Sequence, residues 1–536
     1  MNDVGLLDPL TRDTRALELT DDSAYLAAMV ETELALSRAL VDAGAAPTWM
    51  LTVCNSLGAP DASLLADGSR GGGNPVIPLV THLAAAADAV HPGASDHVHV
   101  GATSQDILDT ASMMVARSVC FEVVGRMREL GAALAELADD YRATPMVART
   151  LGQHAARTTF GFVAAGWLDG VTSAIAAVDA ARIALPVQLG GAVGNRSALD
   201  RVASKHGTTA DTIAAAFADR LGLAVPAIAW HSNRAPVLGV ASALARAAMA
   251  VGVVAVDVAV LARTEIGEVA ERVVAGGGSS SAMPHKANPV TAVLVSAAAR
   301  RASHSLGAVF SAALGEDQRA LGAWHAEWLP FRDLQRIAVT ACSGAVALVE
   351  RLDVDETRMA ANLSITHGLI DSERIAAALS DVMARGDAFD LVRRAAHRVT
   401  SGDGDLRRAV AVLVGDDARL ADAAERAVDD RDGPSTADGI GRVISDFGAV
   451  AATTGVEEER RAGLCCAVRS RQCAPMPGRP NSWFSVPRWA RRQRCGTTWR
   501  PTSRPTTGCC GSTCPDTEPA PRRTHRSTWA ISPTLS

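Results

Sequence analysis

Eleven consecutive residues, Ser279 to Pro289, read S-S-S-A-M-P-H-K-A-N-P and follow three glycines, Gly276 to Gly278. Glycines and small serines make a loop whose backbone N–H groups can converge on an anion. Met283-Pro284 then fixes a turn, and Lys286 and Asn288 add a cation and an amide donor. Those residue types suit one chemistry: holding a carboxylate while a serine moves a proton on the adjacent carbon. A flexible Gly/Ser linker would not carry M-P-H-K-A-N-P. Lys286 is also one of only two lysines among 52 basic side chains, so its presence here is informative.

Three further segments are too polar for helix interiors. His99-Val100-Gly101-Ala102-Thr103-Ser104-Gln105-Asp106 puts hydroxyls before an acid, a pattern that capping of a helix starting near Ile107 would explain by itself. Ala148 to Ala156 contains Arg149, Leu151, Gln153 and His154. His154 is either a substrate contact or a satisfied core histidine. Glu316 to Arg319 reads as a solvated charge cluster. Trp324-His325-Ala326-Glu327-Trp328 fits a solvated face poorly, with two indoles around a His and a Glu.

The eleven-residue string resembles the loop G-S-S-x-M-P-x-K-x-N-P of the fumarase/aspartase superfamily. Here Ser279 replaces its glycine, and Gly278 supplies the lost freedom. The resemblance implies an all-α, three-domain fold with a central long-helix bundle, with Ser281 as the catalytic base and Ser280 as the fallback. His99, Thr103 and Ser104 match a first conserved region that contacts substrate carboxylates. Residues 148–156 resemble a second, commonly R-T-H-x-Q-x-A, whose first His is the general acid in several family lyases; Leu151 occupies its place, with Gln153 and His154 beyond it. Adenylosuccinate lyases also carry a Glu after the N-P pair, and here that position is Val293. Leu189 to Gly194, Trp230-His231 with Arg234, and the stretch holding Arg319, Trp324 and His325 resemble bacterial 3-carboxy-cis,cis-muconate cycloisomerases. The likeness covers about residues 5–455 and adds Lys286, Asn288, Arg319, Trp324 and His325 to the expected substrate contacts.

What the resemblance implies is interconversion of 3-carboxy-cis,cis-muconate and 4-carboxymuconolactone in aromatic-acid catabolism. A tricarboxylate would be the substrate, and a homotetramer with shared active sites the assembly. A departing carboxylate, with a pKa near about 4, leaves without protonation, so losing the acid is tolerable. The alternatives are an adenylosuccinate lyase-like C–N lyase, disfavoured by Leu151 and Val293, and a non-catalytic helical assembly protein, disfavoured by the intact serine loop.

The 536 residues are 48% hydrophobic and 21% charged, enough for a large core. A net charge of −6 gives no nucleic-acid footprint. No segment reads as a signal peptide or membrane span, because the apolar run from Val237 to Val260 is alanine-rich and broken by Arg246 and Asp257. The expected location is cytoplasmic, and no cofactor or metal motif is present.

From Arg461 onward the composition changes: seven of the ten Cys, four of the nine Trp and thirteen Arg fall there, with two acids. The cysteine spacing fits neither a zinc site nor a disulfide framework. Arg, Pro, Cys and Trp together are what GC-rich DNA yields when read out of frame. Trp483 to Thr497 can be encoded so that a shifted frame reads V-L-G-P-S-L-G-T-T-A-E-M-W-D, and Cys509 to Glu518 so that it reads L-R-V-D-L-P-G-H-G. Both strings resemble an α/β-hydrolase such as the enol-lactone hydrolases.

Helical periodicity must position the chemistry. It runs through Asp109 to Arg142, Pro236 to Val274 and Pro289 to Ala313, without comparable strand alternation. The middle stretch predicts a helix of roughly 40 residues and about 60 Å. The expected domains are 1–108, a long-helix bundle over 109–350, a third helical domain over 351–455 with breaks at Asp353 to Glu356 and Gly402 to Gly404, and a disordered or frameshifted tail over 456–536.

Overall fold

The computed structural model describes residues 6–10, 15–272, 283, 286–429 and 434–469, with backbone only for 428, 429, 434, 435 and 454–469. Helices dominate. An N-terminal layer holds α1 (Arg15–Thr20), α2 (Asp22–Asp42), α3 (Met50–Ser56), α4 (Ala62–Gly72) and α5 (Val76–Val90). After α6 (Ser104–Asp140), the strands β1 (Pro145–Thr150) and β2 (Gln153–Thr159) form a hairpin that leads into α7 (Phe160–Ile183). Then come α8 (Ser197–Lys205), α9 (Ala210–Leu221), α10 (Ala235–Leu261), β3 (Val269–Glu271), α11 (Val290–Ala312), α12 (Ala323–Val349) and β4 (Leu352–Val354), which pairs with β3. Helices α13 (Glu356–Leu363), α14 (Ser372–Ser380), α15 (Arg385–Thr400), α16 (Leu406–Val414), α17 (Ala418–Asp429) and α18 (Pro434–Arg469) complete the described chain.

The bundle is α6, α7, α10, α11 and α12, packed pairwise along their lengths. Their shared core includes Met113, Met127, Leu130, Leu134, Phe160 and Leu244, all fully buried. Small residues set the spacing. A Cβ on Gly252 of α10 would fall within 2.4 Å of the Ala299 methyl on α11, so that glycine permits the helices' close approach. Trp167 of α7 donates to Asp257 of α10 at 2.7 Å, which pairs an otherwise isolated carboxylate inside an apolar helix. Both α7 and α10 are long and apolar enough to cross a membrane, yet about half of each such window is buried against neighbouring elements of this bundle.

The structure differs from the periodicity reading in three ways. The longest helix is α6, with 37 residues and a length of about 55 Å. The stretch from Pro236 ends as a helix at Leu261, and its apolar spacing beyond that belongs to a turn and to β3. Two short antiparallel pairs exist where no strand was expected, because β1 (P-M-V-A-R-T) and β2 (Q-H-A-A-R-T-T) carry no apolar alternation and β3 and β4 are three residues each.

Three cores organise the described chain. Helices α8 and α9 leave the bundle and pack on α2, while α14 to α17 form a separate cluster around Leu379, Leu391 and Leu406. Helix α18 returns to the bundle: Phe447 lies over Gly131 of α6, and Arg142 donates to the Ala437 carbonyl at 3.1 Å. Gly402 to Gly404 falls between α15 and α16, whereas Asp353 to Glu356 spans the end of β4 and the first residue of α13 with only Asp355 between them, and α18 runs past position 456 to Arg469. The cysteine-rich stretch from 470 onward lies outside the described residues.

Candidate active site

The N-terminus of α6 is organised around a buried carboxylate. Asp106, fully buried in its first turn, reaches back to accept the Thr103 N–H at 3.0 Å, so the expected capping is real. The same carboxylate accepts the N–H groups of Gly190 and Gly191, each at 2.8 Å, and His231 Nε2 at 2.7 Å. Four donors on one carboxylate lock the loop over 189–196 to the helix start. Gly191, at φ +71°, permits this, because a Cβ there would stand 2.9 Å from the Gly101 carbonyl.

The Thr103 hydroxyl, part of the same capping box, also accepts from Arg319 at 3.0 Å. Arg319 also donates to Gln105 Oε1 at 3.2 Å and to the Ala192 carbonyl at 3.2 Å. Gln105 is held in turn by its amide on the His231 carbonyl at 2.9 Å. A half-buried guanidinium thus sits beside the positive end of a 37-residue helix, an arrangement suited to a carboxylate. Ser104, the first residue of α6, is half-buried at the same place.

Beneath it runs a buried ionic bridge. Arg234 clamps Asp109 of α6 at 2.8 and 3.0 Å and Glu327 of α12 at 3.0 and 2.6 Å. Burial opposes the Arg234 charge, but Asp109 and Glu327 outweigh it and hold the guanidinium above its ordinary range. Burial also pushes Glu327 up, which Arg234 only partly offsets. Trp324 is buried with its indole N–H on Asp109 at 3.0 Å, so its polar edge is spent inside the protein. His325 stacks at an angle on Trp328, 4.7 Å between centroids, and faces solvent.

His99 stands at the entrance with a left-handed backbone, φ +58°. Its Nδ1 lies 2.7 Å from Oε1 of Glu33, a buried residue of α2 that the sequence reading did not single out. Burial pulls the imidazole down, but the Glu33 hydrogen bond and charge, with Asp106, win and raise its pKa.

The remaining expected residues lie at the other end of the bundle. Gln153 and His154 open β2, in a hairpin that follows the far end of α6 and packs on α7 and α13. Leu151 and Gly152 form its tip at φ +51° and +79°, and the Leu151 side chain is fully exposed. His154 Nδ1 is buried with no hydrogen-bond partner, and its ring is held down by burial first and by the Arg149 charge second. Lys286 and Asn288 precede α11, whose Thr291 N–H bonds Glu271 of β3 at 3.0 Å. Arg149 of β1 bridges Glu268 beside it, at 2.8 and 2.9 Å. Val293 is exposed on the first turn of α11. Ser280 and Ser281 lie outside the described residues.

Within one chain, therefore, His99, Thr103, Ser104, Arg319, Trp324 and His325 gather at one end of α6, and Gln153, His154, Lys286 and Asn288 at the other. The length of α6, about 55 Å, separates them. Glu33, Asp106, His231 and Arg234 are the supporting residues found here, and only a charged residue on the apolar face of α2 could have signalled the first. Among the described residues no group of three or more His, Cys, Asp or Glu is arranged to hold a metal.

A lyase family model matches residues 63–303. The chain is 45% identical over 399 residues to the nitrosuccinate lyase of Streptomyces davaonensis, covering 74% of this chain and 84% of that protein. It is 36% identical over 403 residues to the 3-carboxy-cis,cis-muconate cycloisomerase of Pseudomonas aeruginosa, covering 74% and 85%. The crystal structure of 3-carboxy-cis,cis-muconate lactonizing enzyme from Pseudomonas putida superposes with a TM-score of 0.73 at 30% identity, over 83% of this chain and 99% of that one.

Proposed function

The chain belongs to the fumarase/aspartase superfamily, and from that premise we propose that it cleaves or forms a bond between a carbon β to a carboxylate and a weakly basic anion. The observation that carries this reading is the pair Leu151 and Val293. Both positions at which relatives of other specificity place an acid and its orienting carboxylate hold exposed aliphatic side chains, so neither can deliver a proton. The leaving group must depart as a stable anion.

The first reading is interconversion of 4-carboxymuconolactone and 3-carboxy-cis,cis-muconate. In the ring-opening direction Ser281 takes the proton α to a carboxylate, giving an aci-carboxylate dianion; the C–O bond to the ring carboxylate then breaks and the double bond forms. Lactonisation is the reverse, with Ser281 returning the proton. The serine is a competent base only if its alkoxide is stabilised, a role for the glycine-loop amides and Lys286. Arg319, Thr103 and His99 would hold the carboxylates that do not react. A ring carboxylate, with a pKa near about 4, needs no acid.

A second reading is favoured by the 45% identity to a nitrosuccinate lyase. Nitrite is also a weakly basic anion, and C–N cleavage would use the same base and the same acid-free exit. What supports lactonisation over it is the C-terminal sequence, which can be encoded so that a shifted frame resembles an enol-lactone hydrolase, an enzyme that would act downstream of a lactone. We further propose a cytoplasmic homotetramer in which each site takes residues from several protomers. The separation of the two residue groups by the length of α6 supports this, as do the exposed Met249, Val253 and Val256 of α10 and Phe310 of α11.

The test is a spectrophotometric assay of the purified protein with 3-carboxy-cis,cis-muconate and with nitrosuccinate. Turnover of the first supports lactonisation, and turnover of the second alone replaces it with nitrite elimination. Turnover of neither, by a folded tetramer, would overturn the proposal.

A further inference from the structure

We propose that Glu33 is a positioning residue, which fixes the His99 ring so that its Nε2–H edge donates to a substrate carboxylate beside Arg319.

The geometry has four parts. Glu33 sits on α2, in the N-terminal layer, at 1% exposure, and meets His99 across 66 residues of sequence at 2.7 Å. The bond takes Nδ1, and among the described residues Nε2 has no protein partner, while about a fifth of the side chain remains exposed. The ring therefore shows the site one nitrogen, with its other edge anchored. Second, Glu33 Oε2 is buried without any hydrogen bond. A carboxylate satisfied on one oxygen only is a poor device for stability, since an unmet buried acceptor is costly. Third, His99 adopts φ +58°, a conformation unfavourable for a residue with a Cβ, and such strain clusters where a side chain has a task. Fourth, the Ala102 N–H bonds the His99 carbonyl, and the next residue, Thr103, holds Arg319, so ring and guanidinium are mounted on one short loop.

The charged groups acting on the ring are Glu33 from α2 and Asp106 from α6. Both favour the doubly protonated ring, the form in which Nδ1–H and Nε2–H donate together. A charged donor holds a carboxylate more strongly than a neutral one. This inference rests on the reading above only in requiring that the site take a polycarboxylate.

The experiment measures binding of propane-1,2,3-tricarboxylate to the full-length tetramer by calorimetry from pH 6 to pH 8. Glu33→Gln keeps an acceptor for Nδ1–H and removes the charge. At each pH the variant is compared with the wild type, so the ligand's own ionisation cancels. The variant should bind more weakly than the wild type, by about tenfold at the alkaline end of the range, and the deficit should narrow as pH falls and the ring regains its proton. Superimposable profiles, or a deficit equal at every pH, would overturn the assignment, since a structural role predicts no change in pH dependence. If Glu33→Gln does not fold, His99→Gln is the second variant, and its binding should be weaker and lose the wild-type pH dependence; a retained dependence would likewise overturn it. Absence of any binding by the folded wild type would overturn this assignment and the polycarboxylate reading together.

Discussion

Asp106 joins three segments distant in sequence, and replacing it separates the contribution of its charge from that of its shape. Oδ1 accepts from the Gly190 N–H at 2.8 Å and from His231 Nε2 at 2.7 Å, and Oδ2 accepts from Thr103 at 3.0 Å and Gly191 at 2.8 Å. In Asp106→Asn the amide nitrogen must replace one oxygen. Placed at the Oδ1 position it faces the Gly190 N–H, which loses its acceptor, but it can donate to His231 if the ring moves its proton to Nδ1. That nitrogen is buried and unpartnered in the wild type, so the tautomer change disturbs no other bond. Placed at Oδ2 the amide would leave both Thr103 and Gly191 unmet, so the first arrangement wins.

One buried donor left without an acceptor costs about 1–3 kcal/mol, and that is the expected loss for Asp106→Asn. Asp106→Ala vacates all four donors and should cost at least about 4 kcal/mol, comparable with the whole stability of many domains, about 5–15 kcal/mol. Urea unfolding at fixed protomer concentration measures both. Because Thr103 and Gln105 anchor Arg319, Asp106→Asn should also raise KM more than it lowers kcat. An alanine variant within about 1 kcal/mol of wild type, or an asparagine variant less stable than the alanine one, would refute the reasoning.

The raised pKa of His99 means the folded state holds that proton more tightly than the unfolded chain. Its stabilising contribution is therefore fully present below the unfolded value of about 6.5 and is lost as pH rises through the folded value. His99→Gln should accordingly destabilise more at pH 6 than at pH 9 in urea titrations, and the opposite order would contradict the assignment. Ser281→Ala should lower turnover by about 10² to 10⁴ while substrate still binds, and should abolish exchange of the lactone α-proton with deuterated solvent; exchange at the wild-type rate would place the base elsewhere. Leu151→His should give no gain in rate, because a carboxylate leaving group has no use for its proton. A chain ended after Gly455 keeps Phe447 on Gly131 and should retain assembly and activity, as gel filtration and the lactonisation assay would report.

What could be read in the sequence depended on how far each residue's partner lies along the chain. The capping of α6 was legible because Thr103 and Asp106 are three apart, whereas His99 and Arg319 were singled out only by their resemblance to a family, since by type alone they read as part of a cap and of a solvated charge cluster. The partners of the supports were not legible. Arg234 finds Asp109 across 125 residues and Glu327 across 93, and no local pattern selects those pairs. Glu33 left a faint mark, since it sits among the buried Met29, Val30, Thr32 and Leu34, where an acid must meet a partner. Trp324 shows the limit of reading by type: an indole beside a histidine suggested a substrate contact, whereas its N–H is bound to Asp109. The hairpin carrying Leu151 shows the limit of reading by period, because its strands of six and seven residues, P-M-V-A-R-T and Q-H-A-A-R-T-T, closed by a two-residue turn, offer no apolar repeat. Its leucine stands fully exposed at φ +51° on the tip. The group around Arg319 lies about 55 Å away in the same chain, and that separation is what motivates the proposed assembly in which one copy's hairpin end meets another's Arg319 end.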